Sequence, residues 1–468
     1  MNIKIPNDVY KILKILNDAG YESYVVGGAV RDAVLGNEPH DWDITTNATP
    51  DQVKKLFKKT IDTGLQHGTV TAMLNSVGYE ITTYRIDGEY EDNRRPSSVE
   101  FTTDLSKDLQ RRDITFNAMA MDKEGNIVDL YNGIQDLKDG IVRSVGDPNE
   151  RIQEDALRML RAIRFSARYG FHLDEDFRNA IKKNAHLIKN VSYERIESEV
   201  TKIITSNNPE QFLELYNLGL TQYILPEFDK MMNCEQNTIW HNLNVGMHTI
   251  EALKHIDNDP NLRWSILLHD VGKPFSKSTD ENGKDHFYNH PEKSEKISDS
   301  ILKRYKKSTN DSTEIKKLIF YHDLYGDDLS MIRKFVALEG IDFARKLIKL
   351  QLADVEAQSD YKKEEKINNI KKLSQLFEQV YQDKTAITLK ELKVNGNDLL
   401  ELGYKGKEIG LILSHLYEQT LRNPSLNDKN ILLDIVNKID TLDNIIEKKN
   451  EKITTFTTTN KDICNTQR

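Results

Sequence analysis

The stretch YVVGGAVRDAVLGNEPHDWDITTNATP, residues 24–50, decides how this chain reads. A short apolar run, Tyr24–Val26, ends in Gly27 and Gly28, and thirteen residues beyond Gly28 stand Asp41 and Asp43, one residue apart. On a β-strand, positions i and i+2 point to the same face. The two carboxylates therefore project side by side, which is costly unless a cation neutralises them. Magnesium is the expected cation: it is hard, takes oxygen ligands, and combines one or two carboxylates with substrate phosphates. Gly27 and Gly28 let the backbone come close to a triphosphate, and Arg31 can grip a phosphate with its planar fork. In a chain with 30% charged residues an isolated Asp-x-Asp pair is ordinary surface. Set in strand–Gly-Gly–helix–strand order, it points to nucleotidyl transfer.

Outward from this stretch, the segment up to about Gly146 mixes helix and strand. Strands are expected at Tyr24–Val26, Asp41–Ile44, Gly68–Leu74 and Tyr79–Ile86, with a turn at Asn75–Gly78 and a helix over Pro50–Lys59 opened by its proline. The N-terminal MNIKIPNDVYKILKILNDAGY has periodic Ile and Leu without an uninterrupted apolar core, so it reads as an amphipathic helix rather than a signal peptide. From Asp147 to about Ile446 the pattern is almost wholly helical. The last stretch, EKKNEKITTFTTTNKDICNTQR, is polar, Thr-rich and aperiodic, and is expected to be disordered.

The chain has 468 residues, a formal net charge of -9 and 38% hydrophobic residues, enough for about three soluble globular domains. The acidic average argues against long basic arms but not against an RNA partner, which depends on where Lys and Arg cluster. Cys234 and Cys464 are the only cysteines, which suits a reducing cytoplasm and leaves no disulfide framework. No apolar stretch is long enough to span a membrane.

Two further constellations carry chemistry. In DPNERIQEDALRMLRAIRFSARYGF, Asp155, Arg158, Arg161 and Arg164 recur every three residues, so on a helix each neighbours the next. They are interleaved with Leu157, Met159, Leu160, Ile163 and Phe165, which leaves little of the helix facing water, so the arginines need acceptor partners. An Asp accepts and an Arg donates. That order complements the Watson–Crick edges of cytosine and adenine and mismatches guanine and uracil. In the middle of the chain, His241, His269–Asp270, His290, His322 and Asp354 lie within or beside helical apolar runs. Such a mixed imidazole and carboxylate set suits a transition metal or a hydrated divalent ion.

The run GGAVRD…LG…DWDITTNATP resembles the head of the tRNA nucleotidyltransferase (CCA-adding) and bacterial poly(A) polymerase superfamily, and EDALRMLRAIRF resembles the EDxxRxxRAxRF motif of its class II members. The resemblance implies an α+β, polymerase-beta-like nucleotidyltransferase head at 1–146 and an all-α remainder. That remainder comprises a neck with the nucleotide-recognition region at 147–235, an HD domain at 236–360 and a tail at 361–445, before the disordered 446–468. It implies catalysis by Asp41, Asp43 and Glu80 with Mg2+, the triphosphate held by Gly28, Arg31 and Arg112, the sugar positioned by Asn117, and the base read by Asp155 with Arg158. Arg161 and Arg164 would serve the base, sugar or phosphates. The charged loop DGEYEDNRRP (87–96) resembles the family's flexible loop for the C-to-A switch and favours full CCA addition. YERIESEVTKII resembles the neck helix.

The histidine set resembles the HD phosphohydrolase superfamily. His241, His269, Asp270 and Asp354 match its core ligands, and His290 and His322 match positions for a second metal or a substrate phosphate. A second divalent transition metal and activity on cyclic or 2′-phosphates at RNA ends would follow. His248 is placed on the helix face of His241 and left out of the set. The glycine-punctuated LKVNGNDLLELGYKGKEIGLILSHLYE resembles the tail that holds the tRNA elbow, with an ordinary helix–turn–helix as the alternative. Partners implied are tRNA, CTP and ATP, with neither DNA nor a membrane. A bacterial poly(A) polymerase is the nearest alternative, but those proteins tend to carry a GRRF-type basic run where this chain has TGLQHGTV. A CC-only or A-only enzyme stays a disfavoured alternative, and intact Asp41 and Asp43 argue against a catalytically silent RNA-binding protein dominated by its HD domain.

Overall fold

A mixed seven-stranded sheet builds the head. Its strands are β1 (Ser23–Val26), β2 (Ile44–Thr46), β3 (Thr60–Gly64), β4 (Thr69–Leu74), β5 (Val77–Thr83), β6 (Met119–Met121) and β7 (Ile127–Asp129), in the order β7-β6-β1-β2-β5-β4-β3. The computed structural model describes residues 5–39, 41–88, 90–91, 95–96 and 98–438. Residues 89 and 92–94 of the charged loop 87–96 and the whole C-terminal stretch from 439 lie outside them.

β2 and β5 run parallel with Ile44 opposite Ile81, whereas β1–β2, β1–β6 and β4–β5 are antiparallel. The β4–β5 hairpin turns at Asn75 and Ser76, both at positive φ (49° and 67°), as a tight hairpin requires. The helix Asn7–Asp18 buries Val9, Ile12, Leu13 and Leu16, the i, i+3, i+4, i+7 stripe its sequence carries. Each such side chain contributes about 1.5–3 kcal/mol on burial.

The strands differ from expectation in three ways. Asp41 and Asp43 precede β2 rather than form it, although Val26 N–H donates to the Asp43 carbonyl at 2.9 Å and carries the pairing that far. The run expected as one strand over Tyr79–Ile86 breaks at fully buried Tyr84 into β5 and a separate strand, Arg85–Asp87, which pairs with Val99–Phe101. β3, β6 and β7 were not expected, since strands of three to five residues carry too little alternation to be read.

Beyond residue 147 the structure is helical, apart from short strands such as His172–Leu173 and the hairpin Lys277–Thr279 with Asp285–Phe287. Two compact units result: Met1–Lys230 with Ile301–Lys307, and Met231–Ser300 with Ser308–Arg468. The first holds the seven-stranded sheet and the helices that follow it, the second the histidine constellation and the C-terminal helices. The C-terminal helices pack a core of their own from Leu392, Val394, Leu399, Ile412, Leu416, Leu432 and Val436.

Candidate active site and metal centre

In the head, the sheet brings the acids together. Because Ile44 lies opposite Ile81 on parallel strands, the preceding residues, Asp43 and Glu80, fall side by side. Asp43 feels the consequence: desolvation raises its carboxyl above the usual range, with Glu80 and then Asp41 adding to the rise and Arg112 opposing it. Asp41, Asp43 and Glu80 are all solvent-exposed. Carboxylates that repel one another at an open surface are a ready site for a hard divalent ion, and the donor set fits magnesium.

Behind these acids stands an arginine-rich wall. Asp108, fully buried within the helix Leu105–Gln110, accepts from Arg111 at 2.7 and 3.0 Å, and Arg112 Nη2 lies 3.4 Å from its other oxygen. Arg112 Nε is buried without a hydrogen-bond partner. Gly27 sits at φ 70°, and a Cβ there would stand 3.1 Å from Arg112 Nη1, so glycine admits both the backbone turn and the arginine. Gly28 starts the helix Gly28–Val34, with Arg31 Nη2 3.4 Å from where its Cβ would be. Arg31 is itself buried: it donates to Asn117 Oδ1 at 2.8 Å, pairs with Asp32 at 2.9 Å, and lies 5.4 Å from the ring centres of Phe165 and Tyr169. It is more an organiser of Asn117 than a free anion receptor.

The expected single helix of the acid–arginine row is two. The first, Pro148–Glu154, starts at Asp147 and proline, and the second runs Leu157–Tyr169. Asp155 stands in the break, where its Oδ1 accepts from Leu157 N–H at 3.0 Å and its Oδ2 from Arg195 Nη2 at 2.8 Å. Arg195 was not foreseen as part of the site; its position in the helix Tyr193–Ile204 gives no sequence signal for contact with Asp155. Arg158 donates to the carbonyls of Arg111 at 2.8 Å and Arg151 at 3.1 Å and to the Glu154 carboxylate. Arg161 Nε donates to Asp113 at 2.6 Å. Burial would raise the Asp113 carboxyl, but Arg161, Arg158 and Asn117 hold it down at about 2. Arg164 faces Glu199 at 3.2 Å and stacks 4.4 Å from the Phe165 ring centre.

The second unit gathers the histidines. The helix Val245–His255 carries His248, and Pro260–Leu268 ends at His269 and Asp270. His290 opens His290–Arg304, His322 ends Thr309–Tyr321, and Asp354 lies on Ile341–Glu356. Two triads result, His248–His269–Asp354 and Asp270–His290–His322, each with ligand atoms within 4.8 Å of one another. The Nδ1 atoms of His248, His269, His290 and His322 each face a backbone carbonyl, at 3.3, 2.7, 3.0 and 2.6 Å. That pattern orients Nε2 toward the centre, as metal-binding imidazoles require.

His241 precedes the helix of His248 instead of sharing its face, and belongs to neither triad, though the two rings lie 4.9 Å apart. His248, left out of the expected set, stands where His241 was expected: its Nε2 is 2.8 Å from Asp354 Oδ1. Asp323, beside His322, also reaches the centre, 3.4 Å from His290 Nε2.

The electrostatics of this centre are those of a cation site. Buried His269 Nε2, His241 Nδ1 and both oxygens of Asp270 have no hydrogen-bond partner, although Lys273 Nζ approaches Asp270 Oδ2 to 2.7 Å. Burial disfavours ionised Asp270 and Asp354, but His269 and Lys273 beside the one and His248 and His269 beside the other hold both well below the usual carboxylate range. Burial likewise pulls His269 down, and Asp270 and Asp354 outweigh it and lift the imidazole to about 10. A Cβ on Gly272 would stand 2.5 Å from Ser294 N and 2.7 Å from the His290 carbonyl, so the glycine after the His-Asp doublet lets the helix of His290 close over it. Orphaned buried ligand atoms of this kind fit a divalent metal.

The chain is 37% identical over 447 residues to the CCA-adding enzyme of Ligilactobacillus salivarius (strain UCC118), a match spanning 93% of this chain and 98% of that one. The chain belongs to the CCA-adding enzyme family. It matches the Poly A polymerase head domain over residues 23–143, the "Probable RNA and SrmB- binding site of polymerase A" over 170–232 and the HD domain over 238–359. The CCA-adding enzyme of Lactobacillus helveticus (strain DPC 4571) is 50% identical over 216 residues, 46% of this chain and 54% of that one. Among solved structures, the Bacillus stearothermophilus CCA-adding enzyme in complex with CTP superposes with a TM-score of 0.67 at 26% identity, covering 95% of this chain and 98% of that one. Membership of the family carries the α+β head, the HD domain and the nucleotidyltransferase class with it. No helix among the described residues is long and apolar enough to cross a membrane.

Proposed function

We infer that this chain adds the terminal CCA to tRNA from CTP and ATP without a nucleic-acid template. The observation that carries this reading is the pairing of Asp43 with Glu80 by the β2–β5 register, beside Asp41 and Arg112, in a chain this similar to CCA-adding enzymes. In the reaction the RNA 3′-hydroxyl attacks the α-phosphate and pyrophosphate leaves. Asp41, Asp43 and Glu80 would hold Mg2+, which when bound supplies charge neutralisation for the attacking and leaving oxygens. Arg112 offers its unpartnered Nε to the triphosphate. Asp155 accepts from the exocyclic amine of C or A, and Arg158, with donors left after its three contacts, donates to the neighbouring ring nitrogen. A polar mismatch in such a site discriminates by roughly 10⁴ or more. Residues 1–146 act as the head, 147–235 as neck, 236–360 as the HD domain and 361–445 as the tail, working on tRNA in the cytoplasm.

The test is an addition assay on tRNA lacking its 3′ end, with CTP and ATP supplied separately and together. Addition of C, C and A followed by arrest supports the reading; long A tails on unrelated RNA would replace it with a poly(A) polymerase, and arrest after CC with a CC-only enzyme. Asp43→Asn should lower the rate by at least about 10³.

A second reading concerns the other unit and rests on the orphaned ligand atoms at the two triads. We assign this centre to phosphohydrolysis at RNA ends. A divalent transition metal bound there supplies an activated water. His248, His269 and Asp354 on one side and Asp270, His290 and His322 on the other would hold it.

A further inference from the structure

The helix Lys363–Gln382 follows the segment that matches the HD domain, which ends at residue 359. It places one side chain against the histidine centre. Lys366 is only 9% exposed, and its Nζ stands 4.2 Å from the centre of the Trp240 ring. One donor goes to Gln358 Oε1, and the amide of the same Gln358 donates through Nε2 to Asp354 Oδ2 at 3.0 Å. An amide spans little more than 2 Å between its O and N, so the ammonium sits one side chain away from a ligand of the His248–His269–Asp354 triad. Asp354 and Asp323 are the acids whose charge reaches it.

Among the described residues Lys366 makes no ion pair. An ammonium carries three donors, and here one is satisfied while a ring face takes another side. Burying a cation without a counter-charge is costly, and one neutral amide does not offset it. A cation held in that state beside a metal-type centre is poised for an anion that arrives from outside. Lys273, the other buried lysine here, differs: it is 2.7 Å from Asp270 and also donates to Gln236 at 3.0 Å, so its charge is already matched.

We propose that Lys366 is the phosphate-receiving cation of this centre, binding the non-reacting oxygens of a phosphomonoester or cyclic phosphate while Gln358 keeps it in register with Asp354. The proposal takes from the phosphohydrolase reading only the identity of the anion. It also makes the helix Lys363–Gln382 a wall of the HD site rather than the first element of a separate tail. Tyr361, 46% exposed and edge-on to Trp240 at 4.9 Å, marks the rim beside it.

The test uses full-length protein loaded with Mn2+ and inorganic phosphate as the probe, with binding followed by equilibrium dialysis and metal content by plasma mass spectrometry. Lys366→Met should weaken the phosphate site by about 10- to 100-fold, the size of a lost charge-assisted hydrogen bond. Metal content should not change, and Lys366→Arg should retain most of the affinity. Phosphate binding equal to wild type in Lys366→Met overturns the proposal. So does loss of metal in that variant, which would make Lys366 a support for Asp354 instead. Hydrolysis of a 2′,3′-cyclic nucleotide, measured in parallel, separates the two readings. Lys366-dependent phosphate binding with no turnover keeps the subsite and removes the phosphohydrolase, while turnover with an unchanged KM in Lys366→Met does the reverse.

Discussion

Replacing Gly27 by alanine tests the architecture of the head most directly. Gly27 lies at φ 70° and ψ -128°, a region open almost only to glycine, so any side chain there costs about 1–3 kcal/mol. The added methyl would also stand 3.1 Å from Arg112 Nη1 and push that guanidinium off Asp108 and the Asn117 carbonyl, each of which it meets at 3.4 Å. Taking about 2 kcal/mol for the backbone, and about 2–4 °C per kcal/mol for a unit of this size, Gly27→Ala should lower the melting temperature of the head-containing unit by roughly 4–8 °C. A shift of Arg112 by about 1 Å should raise KM for CTP and ATP by at least about tenfold. Gly28→Ala is the control: its backbone is at ordinary φ, its Cβ would meet Arg31 at 3.4 Å, and it opens a helix, where alanine is favoured. That variant should melt like wild type yet show a raised KM, because only close approach of the triphosphate would penalise it. Differential scanning calorimetry and steady-state kinetics read both quantities. A Gly27→Ala protein with unchanged melting and unchanged KM would refute the reasoning, and a wild-type KM in Gly28→Ala would refute the close approach.

Arg195→Met removes the 2.8 Å partner of Asp155. It should relax selection of C and A over U and G by about tenfold, measured by competitive incorporation, with KM for tRNA unchanged. His248→Ala should lower the metal content of the second unit as far as His269→Ala does, while His241→Ala lowers it less; plasma mass spectrometry on chelated and reloaded protein decides. Asp113, held at about 2 against an unfolded value near 3.8, contributes about 2 kcal/mol of stability. A depressed carboxyl stabilises above its unfolded pKa and loses that contribution as pH falls through the folded one. Urea midpoints should therefore drop between about pH 4 and pH 2, and Arg161→Met should shrink this drop.

The candidate residues of the head could be singled out in the chain because they are close neighbours. Gly27–Gly28 and Asp41-x-Asp43 each lie within a few residues, whereas the Asp155–Arg164 row reads as one helix and the chain breaks it at Asp155. The N-terminal helix and the β4–β5 hairpin were legible for the same reason. Tertiary structure decided what depends on contacts between distant segments. The β2–β5 register places Glu80 at Asp43, and the break at Asp155 gives it to Arg195 rather than to its own helix. Asn244 caps the helix that carries His248, which leaves His241 outside that helix and gives His248 the place at Asp354. Lys366 carries no motif at all; it matters only because two helices pack so that Gln358 joins it to Asp354. Periodicity reports which face of an element is buried, whereas a site's partners are set by how whole elements pack, and a single chain's pattern carries no record of that.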